Sequence, residues 1–78
     1  MLLTPEIPEF PEMPEDPHLW SDVHRDLLIA WIAAASDAAG GSCAARSVIA
    51  RQAAGFADVM KDDSRFWVLL AQDRKSVV

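Results

Sequence analysis

The chain contains a single cysteine and only three glycines. Cys43 alone cannot form an internal disulfide or a paired-cysteine metal site, which indicates a reducing compartment and a cytoplasmic location. No glycine-rich phosphate loop is present, and neither are the short zinc-protease and serine-hydrolase motifs. We therefore expect a protein that is not an enzyme and that binds no cofactor.

Long apolar runs and an excess of basic residues are also missing. The longest apolar run, residues 27 to 35, is far shorter than the roughly 20 residues of a membrane span. No basic region followed by an apolar core opens the chain, so we expect no signal peptide. Residues 1 to 26 hold seven acids against Arg25, a balance of −6, whereas residues 27 to 78 have a balance of +1. This distribution argues against a basic nucleic-acid-binding face.

A proline at every third position, from Pro5 to Pro17, is the most regular feature of the sequence. The period matches polyproline II, which has three residues per turn and would place the side chains on three edges. One edge is proline, a second is the glutamates, and the third is apolar: Glu6, Glu9, Glu12 and Glu15, then Ile7, Phe10 and Met13. We expect residues 1 to 20 to form a stiff acidic arm whose apolar edge docks on protein. A solvated tail is the alternative.

Helical periodicity begins after the arm and predicts an all-α domain over residues 21 to 78. Ser21 can cap a first helix of about eighteen residues that Gly40 and Gly41 end. Ser42 can cap a second helix that runs through Met60, which gives an antiparallel hairpin. Beyond it, we expect a continuation or a third helix to about residue 74. A strand is the alternative for the apolar run of residues 66 to 71.

The first helix has more apolar surface than a hairpin can cover. Two adjacent stripes run along it: Val23, Leu27, Ala30, Trp31, Ala34 and Ala38, and then Leu28, Ile32, Ala35 and Ala39. A two-helix hairpin buries one stripe, so a second copy is expected to cover the other. Because a chain of 78 residues also builds only a marginal core, we predict a homo-oligomer, most simply a dimer.

The predicted hairpin leaves the C-terminal apolar residues without cover. If the second helix returns to the level of Ser21 at Met60, residues 61 to 75 project beyond the hairpin, on the side where the arm enters. The arm is then their available cover, from the same chain or from a second copy. The predicted partner-binding residues are Ile7, Phe10, Met13, Trp31, Phe66, Trp67 and Leu70.

Two groups of reactive side chains are not expected to form sites. His18, Asp22 and His24 are close in sequence, but Pro17 and the cap at Ser21 separate them, so we expect no metal site. Cys43 begins the second helix, and a small buried cysteine is the ordinary expectation there.

These observations favour a small protein–protein interaction module, such as an adaptor, an assembly factor or an inhibitor. It would act through apolar helix faces and the acidic proline-rich arm. The alternative is an oligomer that binds or sequesters a small ligand between its subunits. In that case Trp20, Trp31 or Trp67 would stack on the ligand, and Arg46 or Arg51 would face an anion.

Overall fold

The computed structural model describes residues 7 to 75, with side chains through residue 72. It contains an extended segment, one 3₁₀ turn at Pro17–Leu19 and three helices: α1 at Asp22–Ala39, α2 at Cys43–Ala54 and α3 at Ser64–Lys75. No strand occurs between residues 7 and 75. The prediction of an all-α fold with an extended arm is confirmed. Pro5 and Glu6, the first members of their edges, lie outside the described residues.

Helix α1 begins and ends where its flanking residues predict. At its start, the backbone N–H of the N-cap residue Ser21 donates to Nδ1 of His24 over 3.0 Å. A side chain of the first turn therefore provides the acceptor that this N–H lacks in the helix itself. At its end, Gly40 has a φ of +54°, in the left-handed region that glycine occupies without a side-chain clash. The 18 residues between these points match the predicted length.

Helix α2 is shorter than predicted, because it ends at Ala54 and not at Met60. Its start is as expected, with the hydroxyl of Ser42 accepting from the N–H of Ala45 over 3.2 Å. Glycine is unfavourable inside a helix by about 1 kcal/mol relative to alanine, and Gly55 stands where the helix stops. Hydrogen-bonded turns then carry the chain to residue 62.

A separate third helix forms after these turns. Of the two predicted possibilities, a continuation of the second helix or a third helix, the third helix is therefore the one observed. The carboxylate of Asp63 accepts from the backbone N–H of Arg65 over 3.0 Å and so caps the first turn of α3. Each of the three helices contacts the other two. Their shared core consists of Trp20, Leu28, Trp31, Ile32, Ala35, Ala39, Ile49, Ala53, Met60, Phe66 and Leu70.

The packing of α3 corrects the expectation that the C-terminal apolar residues project beyond a hairpin. Phe66 and Leu70 are 0% and 1% exposed, because α3 packs against both α1 and α2. Trp67 and Val68 point outward from the same helix and are exposed. The run that is apolar on all sides in the sequence thus has one inner and one outer face.

Candidate functional site

Two tryptophan side chains hold the arm by its backbone. The indole N–H of Trp31 donates to the carbonyl oxygen of Pro8 over 2.9 Å. That of Trp20 donates to the carbonyl oxygen of Pro14 over 3.0 Å. The earlier proline pairs with the later tryptophan, so the arm runs antiparallel to the beginning of α1.

The spacings along the two segments match. Pro8 and Pro14 are six residues apart, about 19 Å in a polyproline II conformation. Trp31 lies nine residues after the start of α1, about 14 Å at the rise of an α-helix, and the extended residues Trp20 and Ser21 add up to about 7 Å. Proline carbonyls are free to accept such bonds because polyproline II has no internal hydrogen bonds. Two turns of the arm therefore fit the distance between the two indoles.

Phe10 inserts its ring between the two hydrogen-bonded points. Its centroid lies 5.2 Å from that of Trp31 in an edge-on arrangement and 5.5 Å from that of Phe56 in a stacked one. Trp20 in turn lies 4.7 Å from Phe56. We call Trp20, Trp31 and Phe56 the aromatic cradle. Aromatic pairs of this kind contribute about 0.5 to 1.5 kcal/mol each beyond the area they bury.

A tight turn reverses the chain between the arm and α1. The side-chain carboxylate of Asp16 accepts from the backbone N–H of His18 over 3.0 Å. The backbone carbonyl of Asp16 accepts from the N–H of Leu19, also over 3.0 Å. Pro17 opens the 3₁₀ turn, where its fixed φ is suitable and its missing N–H costs nothing. This reversal brings Trp20 back beside the arm that precedes it.

The arm shows the edges that its three-residue period predicts. Ile7, Phe10 and Met13 are partly buried and pack against the core, so this segment is not a solvated tail. Glu9, Glu12 and Glu15 are exposed. Within the described part of the chain, no ion pair or hydrogen bond engages their carboxylates. The apolar edge is thus occupied by the chain's own helices, and the glutamate edge faces solvent.

The remaining predicted partner-binding residues divide between the cradle, the core and the surface. Trp31 is 6% exposed and belongs to the cradle. Phe66 and Leu70 are core residues and are not accessible to a partner in this fold. Trp67 is 40% exposed, and its indole N–H donates to the carbonyl of Lys61 over 2.9 Å.

Sequence reasoning missed Trp20 and Phe56 as members of the arm site. The signal for Trp20 was available, because an extended arm without internal hydrogen bonds offers carbonyls and an indole supplies a donor. Helical periodicity does place Phe56 on an apolar face with Ile49 and Ala53, but it does not indicate a contact with the arm, and Phe56 lies in the turns after α2. Since the arm occupies the indoles of Trp20 and Trp31, we do not propose that they stack on a ligand.

One of the two predicted stripes of α1 remains uncovered in the single chain. The stripe of Leu28, Ile32, Ala35 and Ala39 is buried. The other stripe loses Trp31 to the cradle, and its remaining members are exposed: Val23, Leu27, Ala30, Ala34 and Ala38. We call these five residues the outward stripe.

An open depression of about 620 Å³ lies between the start of α1 and the start of α3. Its lining is mainly charged, and most of these charges are paired. The guanidinium of Arg65 lies 3.1 Å from Asp26 and 2.8 Å from Asp63, and that of Arg25 lies 3.4 Å from Asp22. Arg65 therefore links α3 to α1 through Asp26, and the charged residues that line this depression have a structural role.

The ion pair between Arg65 and Asp63 predicts that the fold loses stability at acidic pH. The hydrogen bond from Arg65 lowers the pKa of Asp63, with help from the backbone N–H of Arg65 and against a smaller effect of burial. A carboxyl with a depressed folded pKa stabilises the fold above its unfolded pKa of about 3.9 and loses that contribution as the pH falls through the folded value. We expect Asp63→Asn to lower the melting temperature modestly at neutral pH. It should also reduce the loss of stability below about pH 4. Thermal unfolding monitored by circular dichroism across pH 2 to 7 checks this, and parallel pH curves for the two proteins would contradict it.

Cys43 is exposed, which corrects the expectation that it is buried. Within residues 7 to 75, no group of three or more histidine, cysteine, aspartate or glutamate side chains is arranged to hold a metal ion. None of the helices described is both long and apolar enough to cross a membrane. Comparison of the chain with protein-family models, with curated proteins and with solved structures found no match.

Proposed function

We propose that this protein is a non-enzymatic interaction module that presents the glutamate edge of its arm to a basic surface of a protein partner. The observation that carries the proposal is the way the arm is held. Its apolar edge and two of its carbonyls bind the chain's own helices, and Glu9, Glu12 and Glu15 face solvent. The arm is therefore a support for these carboxylates.

The mounting of the arm gives the glutamates a fixed spacing. Every third residue of polyproline II is displaced by about 9 Å along the axis, so this conformation would set Glu9 and Glu12 about that far apart, and Glu15 follows in the bend before the turn. A row fixed before binding loses less conformational entropy on docking than a flexible acidic tail would. The net charge of −6 in residues 1 to 26 would also speed the encounter with a basic partner.

The proposed role requires a surface and no reaction. An adaptor, an assembly factor and an inhibitor all act by occupying or bridging the surface of another protein. The acidic edge selects a partner with a complementary basic surface, and it disfavours acidic ones. We propose that this recognition takes place in the cytoplasm.

Site-specific photo-crosslinking in the native host identifies the partner. A photoreactive amino acid replaces Glu12 in one variant and the exposed Gln52 of α2 in a control variant. We expect one protein to be captured from position 12 and not from position 52. Equal capture at both positions would contradict the proposal.

The affinity between the purified captured protein and variants of this chain then tests whether the glutamate edge makes the contact. A triple variant, Glu9→Gln with Glu12→Gln and Glu15→Gln, is expected to bind about tenfold more weakly at low salt, since exposed ion pairs contribute up to about 1 kcal/mol each. Wild-type affinity should fall with salt, and the triple variant should respond less. Asp58→Asn, on an exposed residue of the turn segment, is the control and should bind normally. Equal affinities of the wild type and the triple variant would refute the role of the glutamate edge.

We also propose that the module is a homodimer. The support is the outward stripe of α1, an apolar surface that the single chain leaves exposed. Small domains with such a surface commonly bury it by self-association. Sedimentation equilibrium at micromolar concentration is expected to give twice the chain mass of 8.6 kDa, and a single species of 8.6 kDa would contradict the proposal.

A further inference from the structure

The outward stripe is asymmetric in size along α1. Its N-terminal half carries Val23 and Leu27, which are 65% and 40% exposed. Its C-terminal half carries only alanines, Ala30, Ala34 and Ala38, all exposed. One half therefore stands out from the helix, and the other half allows a second backbone to approach closely.

We infer that the outward stripe is a self-complementary interface in which α1 of one copy packs antiparallel on α1 of a second copy. The large half of each helix would then lie on the small half of the other. This inference rests on the proposed homodimer and names its surface and orientation. A parallel pair would set large residues against large and alanines against alanines, which packs poorly.

The numbering of the stripe allows two registers and favours one of them. In an antiparallel pair, residues at the same level are equidistant from the crossing point. Leu27 and Ala34 share a midpoint between residues 30 and 31, and so do Val23 and Ala38. Both large-to-small pairs are thus satisfied by one twofold axis beside Ala30. An axis between residues 28 and 29 would also set each large residue against an alanine, but only the axis beside Ala30 lies at the centre of α1 and lets the two helices overlap along their whole length. A twofold interface of this kind uses the same patch on both subunits.

The angular positions agree with this interface. At about 100° per residue, the five members of the outward stripe fall within roughly a quarter of the helix circumference. The core face of α1, centred on Leu28, Ile32 and Ala35, lies on another side. A second copy can therefore dock on the stripe without displacing α2 or α3.

A second copy fits this surface because the stripe already contains its own complement. A different partner would have to present alanines opposite Leu27 and large side chains opposite Ala34, in the reverse direction. The sequence of α1, read backwards across the axis, provides that pattern.

Engineered cysteines test the register in the full chain with Cys43 replaced by serine. Ala30→Cys is expected to form a symmetric disulfide dimer under mild oxidation, because its two copies are about 1.5 Å apart along the axis. Leu27→Cys alone should form no such disulfide, because its two copies are about 10 Å apart along the helix axis, beyond the reach of a disulfide. Mixing Leu27→Cys with Ala34→Cys should give the mixed disulfide. Val48→Cys, on an exposed residue of α2, is the control that should form no disulfide between subunits under oxidation.

Sedimentation equilibrium with charge variants separates the possible failures. Leu27→Glu should weaken the dimer at least tenfold, and Val48→Glu should leave it unchanged, with circular dichroism confirming that both fold. A wild-type monomer would overturn both the homodimer and this interface. A dimer that resists Leu27→Glu, or that crosslinks through Leu27→Cys with itself, would overturn this interface alone. A helix of another protein that protects the stripe from labelling while the chain stays monomeric would also overturn it.

Discussion

Replacing Phe66 with alanine is expected to lower the free energy of unfolding by about 3 to 5 kcal/mol, the range for truncating a buried phenylalanine. The ring is 0% exposed and lies in the core that all three helices share. A domain of this length has a total stability of only about 4 to 12 kcal/mol. The variant should therefore be partly unfolded at 37 °C.

Trp67 is the matched control, because it is the next residue of α3 and is a larger aromatic side chain. It is 40% exposed, and its indole bond to the carbonyl of Lys61 is a local one. Trp67→Ala should cost less, about 1 to 2 kcal/mol, because it removes one local hydrogen bond and an edge contact with the ring of Phe66 from a partly exposed side chain. Urea unfolding followed by circular dichroism measures both variants. A larger loss for Trp67→Ala than for Phe66→Ala would mean that α3 packs through its other face.

Replacing Phe10 with alanine is expected to lower the free energy of unfolding by about 2 kcal/mol, less than for a fully buried ring. Phe10 is only partly buried, but its ring contacts both Trp31 and Phe56. Without it, the arm keeps two indole hydrogen bonds and loses the packing between them. We therefore expect the arm to detach more readily, with a change in tryptophan fluorescence.

The control for the arm is the joint change Glu9→Gln and Glu12→Gln. Both carboxylates face solvent, so this variant should unfold almost like the wild type. If the glutamine variant is the less stable one, and its loss fades at high salt, the glutamates hold the arm and the cradle does not. Urea unfolding at low and high salt distinguishes these cases.

The sequence predicts the arm and α1 because their signals are local. Each proline fixes its own φ and restricts the residue before it, so a three-residue period leaves the chain little choice of conformation. Ser21 and Gly40 mark the ends of α1 in the same local way. The three edges of the arm and the 18 residues of α1 follow from these residues alone.

What the sequence does not predict are the contacts between distant segments. Phe10 packs on Phe56 in the turns that follow the end of α2 at Ala54, and the helical pattern of the sequence around Gly55 obscures this break. The apolar run of α3 has no phase of its own, so its inner face is set by the shape of the groove between α1 and α2. The placement of Phe66 inside and Trp67 outside is a result of tertiary packing.

The most direct test of the account is an isotope-filtered NOE measurement on the two indole N–H groups that hold the arm. Labelled and unlabelled chains are mixed, so that contacts within one chain and between chains are observed separately. We expect the indole proton of Trp31 to show contacts with Pro8 and Phe10 of its own chain, and that of Trp20 with Pro14. Both protons should exchange slowly with solvent. Rapid exchange without contacts to the arm, or contacts only between different chains, would contradict an arm seated on its own aromatic cradle.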